Sequence, residues 1–136
     1  MNERQRRTRA VAKVTVQSAE SEPYDQTANP ALMEIRIAET FAGDLDGESI
    51  ARSLQFVRED RTAGFVSMQR FRGRLGAREG TFVLQGRGSV ENGRIEAAWF
   101  VVPDSGTQEF SGLRGEGGFE GDFGQGSDAT LDYWFE

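Results

Sequence analysis

The sequence predicts an all-β protein, an eight-stranded antiparallel up-and-down β-barrel. Three observations lead there. Apolar and polar residues alternate with period two in about eight runs, the pattern of strands that show one face to a core. Turn residues separate those runs at short intervals, and no segment has the length or periodicity of a substantial helix. At 136 residues the chain is one domain with a real core, and eight strands favour a closed barrel over an open sheet.

Ala10–Ser18 alternates Val11, Lys13 and Thr15 against Ala12, Val14 and Val16 as a first strand. Glu20–Pro30 reads as a loop punctuated by Pro23 and Pro30. Leu32–Gly43 carries Met33, Ile35, Ile37 and Phe41 on one side, and Asp46-Gly47 offers a two-residue hairpin turn before Glu48–Glu59. Phe65–Gly88 reads as a long hairpin joined through Gly76–Gly80, and Asn92-Gly93 is the clearest turn signal in the chain. Arg94–Pro103 is a strand stopped by proline, Thr107–Leu113 the one plausible helical turn. Arg114–Gly126 is Gly-rich, as at bends of a curved sheet, and Ser127–Glu136 closes the chain.

Composition narrows the chemistry. There is no Cys and no His, which removes disulfides, thiol nucleophiles, Ser-His-Asp triads and the usual zinc sites. Net charge is −6, with four Arg and one Glu in the first nine residues and eight acids against Arg114 alone from Asp104 onward. That surface repels phosphate backbones, so no nucleic-acid partner is expected. Residues 1–9 are expected to be a disordered basic tip, with the barrel spanning 10–136. No apolar run nears the roughly 20 residues of a membrane helix and no signal-peptide core is present, so the expected setting is cytoplasmic and away from membranes.

Short motifs favour bland readings. Gly115-Glu116-Gly117-Gly118 lacks the lysine, spacing and helix of a phosphate loop. Asp44–Glu48 lacks the ligand spacing of a calcium loop, and Asp104-Ser105-Gly106 lacks a base for a nucleophilic serine. Neither a metal nor a cofactor is expected.

Candidate site residues come from assembling the apolar strand faces. Glu39 shares a face with Ile35, Ile37 and Phe41, Arg52 with Ile50, Leu54 and Phe56, Gln69 with Phe65 and Phe71, and Tyr133 with Leu131 and Phe135. Trp99 falls with Ile95 and Val101. If those faces point inward, an apolar chamber holds Glu39, Arg52, Gln69 and Tyr133 as catalytic candidates, with Phe56, Phe65, Phe71 and Trp99 as its substrate-binding wall. A buried charge is costly unless paired, so Arg52 and Glu39 are either a structural ion pair or a ligand-facing set. Phe100 and Trp134 fall on the opposite faces and point to a homodimer interface.

One resemblance covers nearly all of the chain after its first nine residues. Glu22–Asp25, Phe41–Ser49, Gly80–Gln85, Val101–Thr107, Leu113–Gly117 and Leu131–Tyr133 resemble, in order, a bacterial family of small proteins of unknown function with barrels similar to allene oxide cyclase. The resemblance implies the barrel strongly and function weakly, since such barrels serve as cyclases, isomerases and proteins without assigned activity. The family pattern implies an aromatic residue at Ala19 and acids at Arg52 and Gln69, so this chain carries a cation and an amide where carboxylates are expected.

The resulting expectation is a barrel binding a small apolar organic molecule, with a cofactor-free cyclase or isomerase activity in which Arg52, Gln69 and Tyr133 polarise an oxygen and Glu39 moves a proton. The alternative is a non-catalytic homodimeric barrel filled by its own side chains.

Overall fold

A computed structural model describes residues 6–122 and 126–136. Eight strands follow one another around the sheet in chain order: β1 (Thr8–Asp25), β2 (Leu32–Gly43), β3 (Leu45–Val57), β4 (Ala63–Leu75), β5 (Arg78–Glu91), β6 (Arg94–Val101), β7 (Leu113–Asp122) and β8 (Ser127–Phe135). All neighbours are antiparallel, and β1 pairs with β8 to close the barrel. The helical turn expected over Thr107–Leu113 is a single 3₁₀ turn, Gln108–Phe110, which places Phe110 in the core.

Four expectations need correction. The segment read as a loop from Glu20 is strand: β1 runs to Asp25 after an irregularity at Gln17. It pairs with β8 only from Thr8 to Val14, so its second half has a free edge, where a strand tolerates Pro23. The basic tip is shorter than expected, because β1 begins at Thr8. Arg7 meets Glu116 at 2.6 Å, and Arg9 grips both carboxylate oxygens of Asp132 at 2.8 and 3.0 Å. The acidic strands β7 and β8 thus order the start of the chain; the remainder of the tip, residues 1–5, lies outside the described residues.

The third correction is the β2–β3 turn, which lies at Asp44 and not at Asp46-Gly47. Asp44 is pinned to β1, donating its N–H to the Val11 carbonyl at 2.8 Å and accepting the Val11 N–H on Oδ2 at 2.9 Å. Gly47 serves close packing instead: a Cβ there would stand 2.2 Å from the Arg72 carbonyl oxygen on β4. Likewise the β4–β5 turn is only Gly76-Ala77, with Arg78–Gly80 already in strand. At the β5–β6 turn Asn92 and Gly93 both take positive φ, 52° and 76°, the pair that a two-residue hairpin demands.

The fourth correction has the largest consequence. On β3 the inward face is Leu45, Ser49, Ala51 and Ser53, while Ile50, Arg52, Leu54 and Phe56 point outward. Inward residues on the other strands follow the expected parity.

Six aromatic rings fill the lumen as a continuous chain. Phe119 lies 5.0 Å from Trp99, Trp99 6.3 Å from Phe41, and Phe41 5.1 Å from Phe71. Phe71 lies 5.0 Å from Phe82, and Phe82 5.2 Å from Phe110. Phe41 on β2 and Trp99 on β6 come from opposite walls, so their stack spans the barrel. The small residues on β3 make room for it.

Candidate functional site

The inner polar cluster lies one residue pair from the aromatic chain. Glu39 precedes Phe41 by two positions on β2, and Gln69 precedes Phe71 by two on β4, so both point inward. Ser49 on β3 stands between them, paired with Glu39 on one side and with Phe71 on the other. The Gln69 side-chain N–H₂ group donates to Glu39 Oε1 and to Ser49 Oγ, both at 2.6 Å. Gln69 and Ser49 are buried and Glu39 is half-buried. Burial pushes the Glu39 carboxyl above the usual carboxylate range, and the hydrogen bonds from Gln69 and then Ser49 oppose that rise only in part.

Beyond this cluster the lumen opens. β1 parts from β8 after Val14, and the inner faces of β1 and β2 become more exposed from there: Val16 and Ala19 are exposed, Ile35 and Ile37 half-exposed. Ser53 sits on the β3 wall here, paired with Ile35 and Ser67. Its hydroxyl is buried without a hydrogen-bond partner among the described residues. A buried hydroxyl with no partner is costly, by about 1–3 kcal/mol, and marks a place where a ligand atom or a water is chemically wanted.

The eight expected site residues divide into three groups. Glu39 and Gln69 come together as described. Phe65, Phe71 and Trp99 face inward and are buried, but Phe71 and Trp99 belong to the aromatic chain, with Trp99 Nε1 donating to the Thr130 carbonyl at 3.0 Å. Tyr133 also faces inward, at the opposite end, where its ring meets Phe135 at 6.2 Å; among the described residues no hydrogen bond or ion pair joins it to Glu39 or Gln69.

Arg52 and Phe56 are corrections. Both are exposed on the outer face of β3. Arg52 lies 3.7 Å from Glu34, which also meets Arg36 at 3.5 Å, so the expected Arg52–Glu39 pair does not form. Reading β3 by its apolar residues assigns the wrong face, because beyond Leu45 its inner side carries small residues, Gly47, Ser49, Ala51 and Ser53, beside Phe41 and Phe71. The residues missed are Ser49 and Ser53; the signal was the row Gly47, Ser49, Ala51, Ser53, whose uniform smallness fits a wall facing large rings.

Trp134 is half-buried, with the Arg7 guanidinium 4.4 Å above its ring and its Nε1 donating to Glu136 at 3.3 Å. Phe100 is exposed on β6. Among the described residues no group of three or more His, Cys, Asp or Glu side chains is placed to hold a metal ion, and no helix is long and apolar enough to cross a membrane.

Fold and inner cluster together define the class: a small closed antiparallel barrel with an aromatic-filled lumen and a polar group at its open end. The chain belongs to the family described as "Protein of unknown function (DUF3224)", whose pattern matches residues 10–133. It is similar to a crystal structure of a DUF3224-family protein of unknown function from Shewanella oneidensis MR-1. The two share 26% identity over 96% of this chain and 98% of that one, with a TM-score of 0.75. Among curated proteins, none matches.

Proposed function

We propose that this protein binds a small, largely apolar organic molecule at the open end of the barrel. The Ser53 hydroxyl, without a partner among the described residues, carries the reading, because it supplies an unmet hydrogen-bonding demand on the inner wall. Ile35, Ile37 and Phe65 provide the apolar walls, and the Glu39–Gln69–Ser49 cluster closes the floor.

Chemistry at this floor is cofactor-free proton transfer. A carboxyl raised by burial is better matched to donating and accepting protons near neutral pH than an ordinary glutamate, and Gln69 fixes its orientation. This supports a cyclase- or isomerase-type role for Glu39, in line with the sequence resemblance to barrels of the allene oxide cyclase kind. Arg52 has no part in it, since it faces away from the lumen.

Native mass spectrometry and solvent extraction of the purified protein test the reading. The wild type is expected to carry or take up a small organic molecule, and Ser53→Phe, which fills the open end, is expected to lose it while remaining folded. If neither extraction nor a panel of hydrophobic carbonyl compounds produces a bound mass or a rise in Tm, the reading fails. The aromatic chain across the lumen then favours the second reading, a filled barrel that works through its outer surface.

A further inference from the structure

The outer face of the sheet carries an unassigned surface whose pattern is complementary in charge to its own reverse. Among the described residues six of the ten exposed large apolar side chains, Ile50, Leu54, Phe56, Val66, Met68 and Phe100, lie on the outer side of β3, β4 and β6; the other four are Val11, Val16 and Tyr24 on β1 and Val57 at the end of β3. Concentration on one face, and not scatter over the surface, is what marks an interaction surface. A groove of about 950 Å³ crosses it, bordered by Arg52, Leu54, Val66, Met68, Phe100 and Glu116 among others.

Register defines one row across this groove. Arg52 is paired with Met68, Met68 with Gln85, Gln85 with Phe100, and Phe100 with Glu116. One strand further out at either end stand Arg36, beside Arg52, and Asp132, beside Glu116. Strands are evenly spaced at about 4.8 Å, so each member of the row has a counterpart at the same distance on the other side of Gln85. Cations occupy one end, acids the other, and apolar side chains lie between.

We propose that a second copy of this chain docks on this face, about a two-fold axis passing near Gln85. A two-fold axis makes a patch meet itself reversed. Met68 then meets Phe100 of the other copy, and Arg52 meets Glu116 of the other copy. The charged rims touch first and the four apolar side chains fill the groove between them. In the adjacent row Leu54 is paired to Val66, which adds apolar surface on the β3–β4 side, while Arg87 stands at the middle of that row on β5. Within one copy Glu116 contacts Arg7 and Arg52 contacts Glu34; Arg7, Glu116 and Arg52 are exposed, and Glu34 is half-buried. Trp134, already covered by Arg7, is not needed.

Sedimentation velocity over a concentration series, with circular dichroism to verify folding, tests the dimer. Met68→Glu and Phe100→Glu are each expected to weaken association about tenfold or more, since they place a carboxylate in the apolar centre. Arg52→Glu alone and Glu116→Arg alone are expected to weaken it too, by like-charge contact across the axis. The chain carrying both Arg52→Glu and Glu116→Arg restores opposite charges and is expected to return to within about threefold of the wild type, the non-additivity that marks a direct pair. A wild-type monomer at every concentration overturns the proposal. So does a dimer that tolerates Met68→Glu and Phe100→Glu, or a double charge reversal no better than its single parents.

Discussion

The amide nitrogen of Gln69 lies 2.6 Å from the Glu39 carboxylate and 2.6 Å from the Ser49 hydroxyl, so one side chain on β4 fixes a carboxyl on β2 through a hydroxyl-bearing wall on β3. Glu39 is the inner group whose ionisation the surrounding barrel opposes. Removing or recharging this amide therefore acts directly on that carboxyl.

Gln69→Leu is expected to destabilise the fold by about 1–3 kcal/mol, because it removes the stronger of the two hydrogen bonds to the half-buried carboxyl. Gln69→Glu sets two acids together, one of which must keep its proton. That variant should be markedly less stable than wild type at neutral pH and recover as the pH falls. Urea titrations at several pH values read both effects.

Glu39 predicts the opposite pH trend from an ordinary paired carboxylate. Its folded-state pKa lies above the unfolded one, so the folded protein holds the proton to higher pH. The associated stability is complete below the unfolded carboxylate pKa and is lost as pH rises through the raised value. Glu39→Gln keeps the hydrogen bond to Gln69 and has nothing to ionise. Above that window it should melt higher than wild type, by about 2–4 °C per kcal/mol in a domain of this size, and its Tm should lose this component of pH dependence.

Phe41→Ala cuts the aromatic chain at the point where it crosses the barrel. The ring is buried, stacked on Trp99 and edge-to-face with Phe71, so a loss of about 3–5 kcal/mol is expected in chemical denaturation. A loss of about 1 kcal/mol or less would mean that the lumen collapses around the gap and that the chain is not a rigid filling.

Arg52→Ala separates an outward arginine from an inward one. An exposed side chain 3.7 Å from Glu34 contributes little, so the change in folding stability should stay below about 1 kcal/mol. A loss of several kcal/mol, the signature of a broken buried ion pair, would place the guanidinium in the lumen.

Strand number, order and antiparallel closure were legible in the sequence because alternation and turns such as Asn92-Gly93 depend on local chemistry. Gln69 was legible because β4 carries Phe65 and Phe71 on the same face, and Glu39 because β2 carries Phe41. β3 resisted the same reading. Its apolar residues Ile50, Leu54 and Phe56 lie outside, and its inner residues from Gly47 to Ser53 are small because rings from β2 and β4 already occupy the space. Which face of a strand is buried is decided by the neighbours' volume, and single-strand periodicity holds no record of that. The outward course of β1 beyond Ser18 was hidden for a related reason. Pro23 signals a loop unless the free edge created by the early parting of β8 is known.

The stack of Phe41 on Trp99 ties two opposing walls together and divides the inside of the barrel in two. A tube open at both ends could pass a molecule through; this one is a blind vessel. A molecule bound at the open end, as proposed above, would meet the Glu39 floor beyond Ile35 and Ile37 and would leave by the same mouth. On the binding reading proposed above, residence time would be governed by a single doorway, which suits holding a molecule and not conducting it.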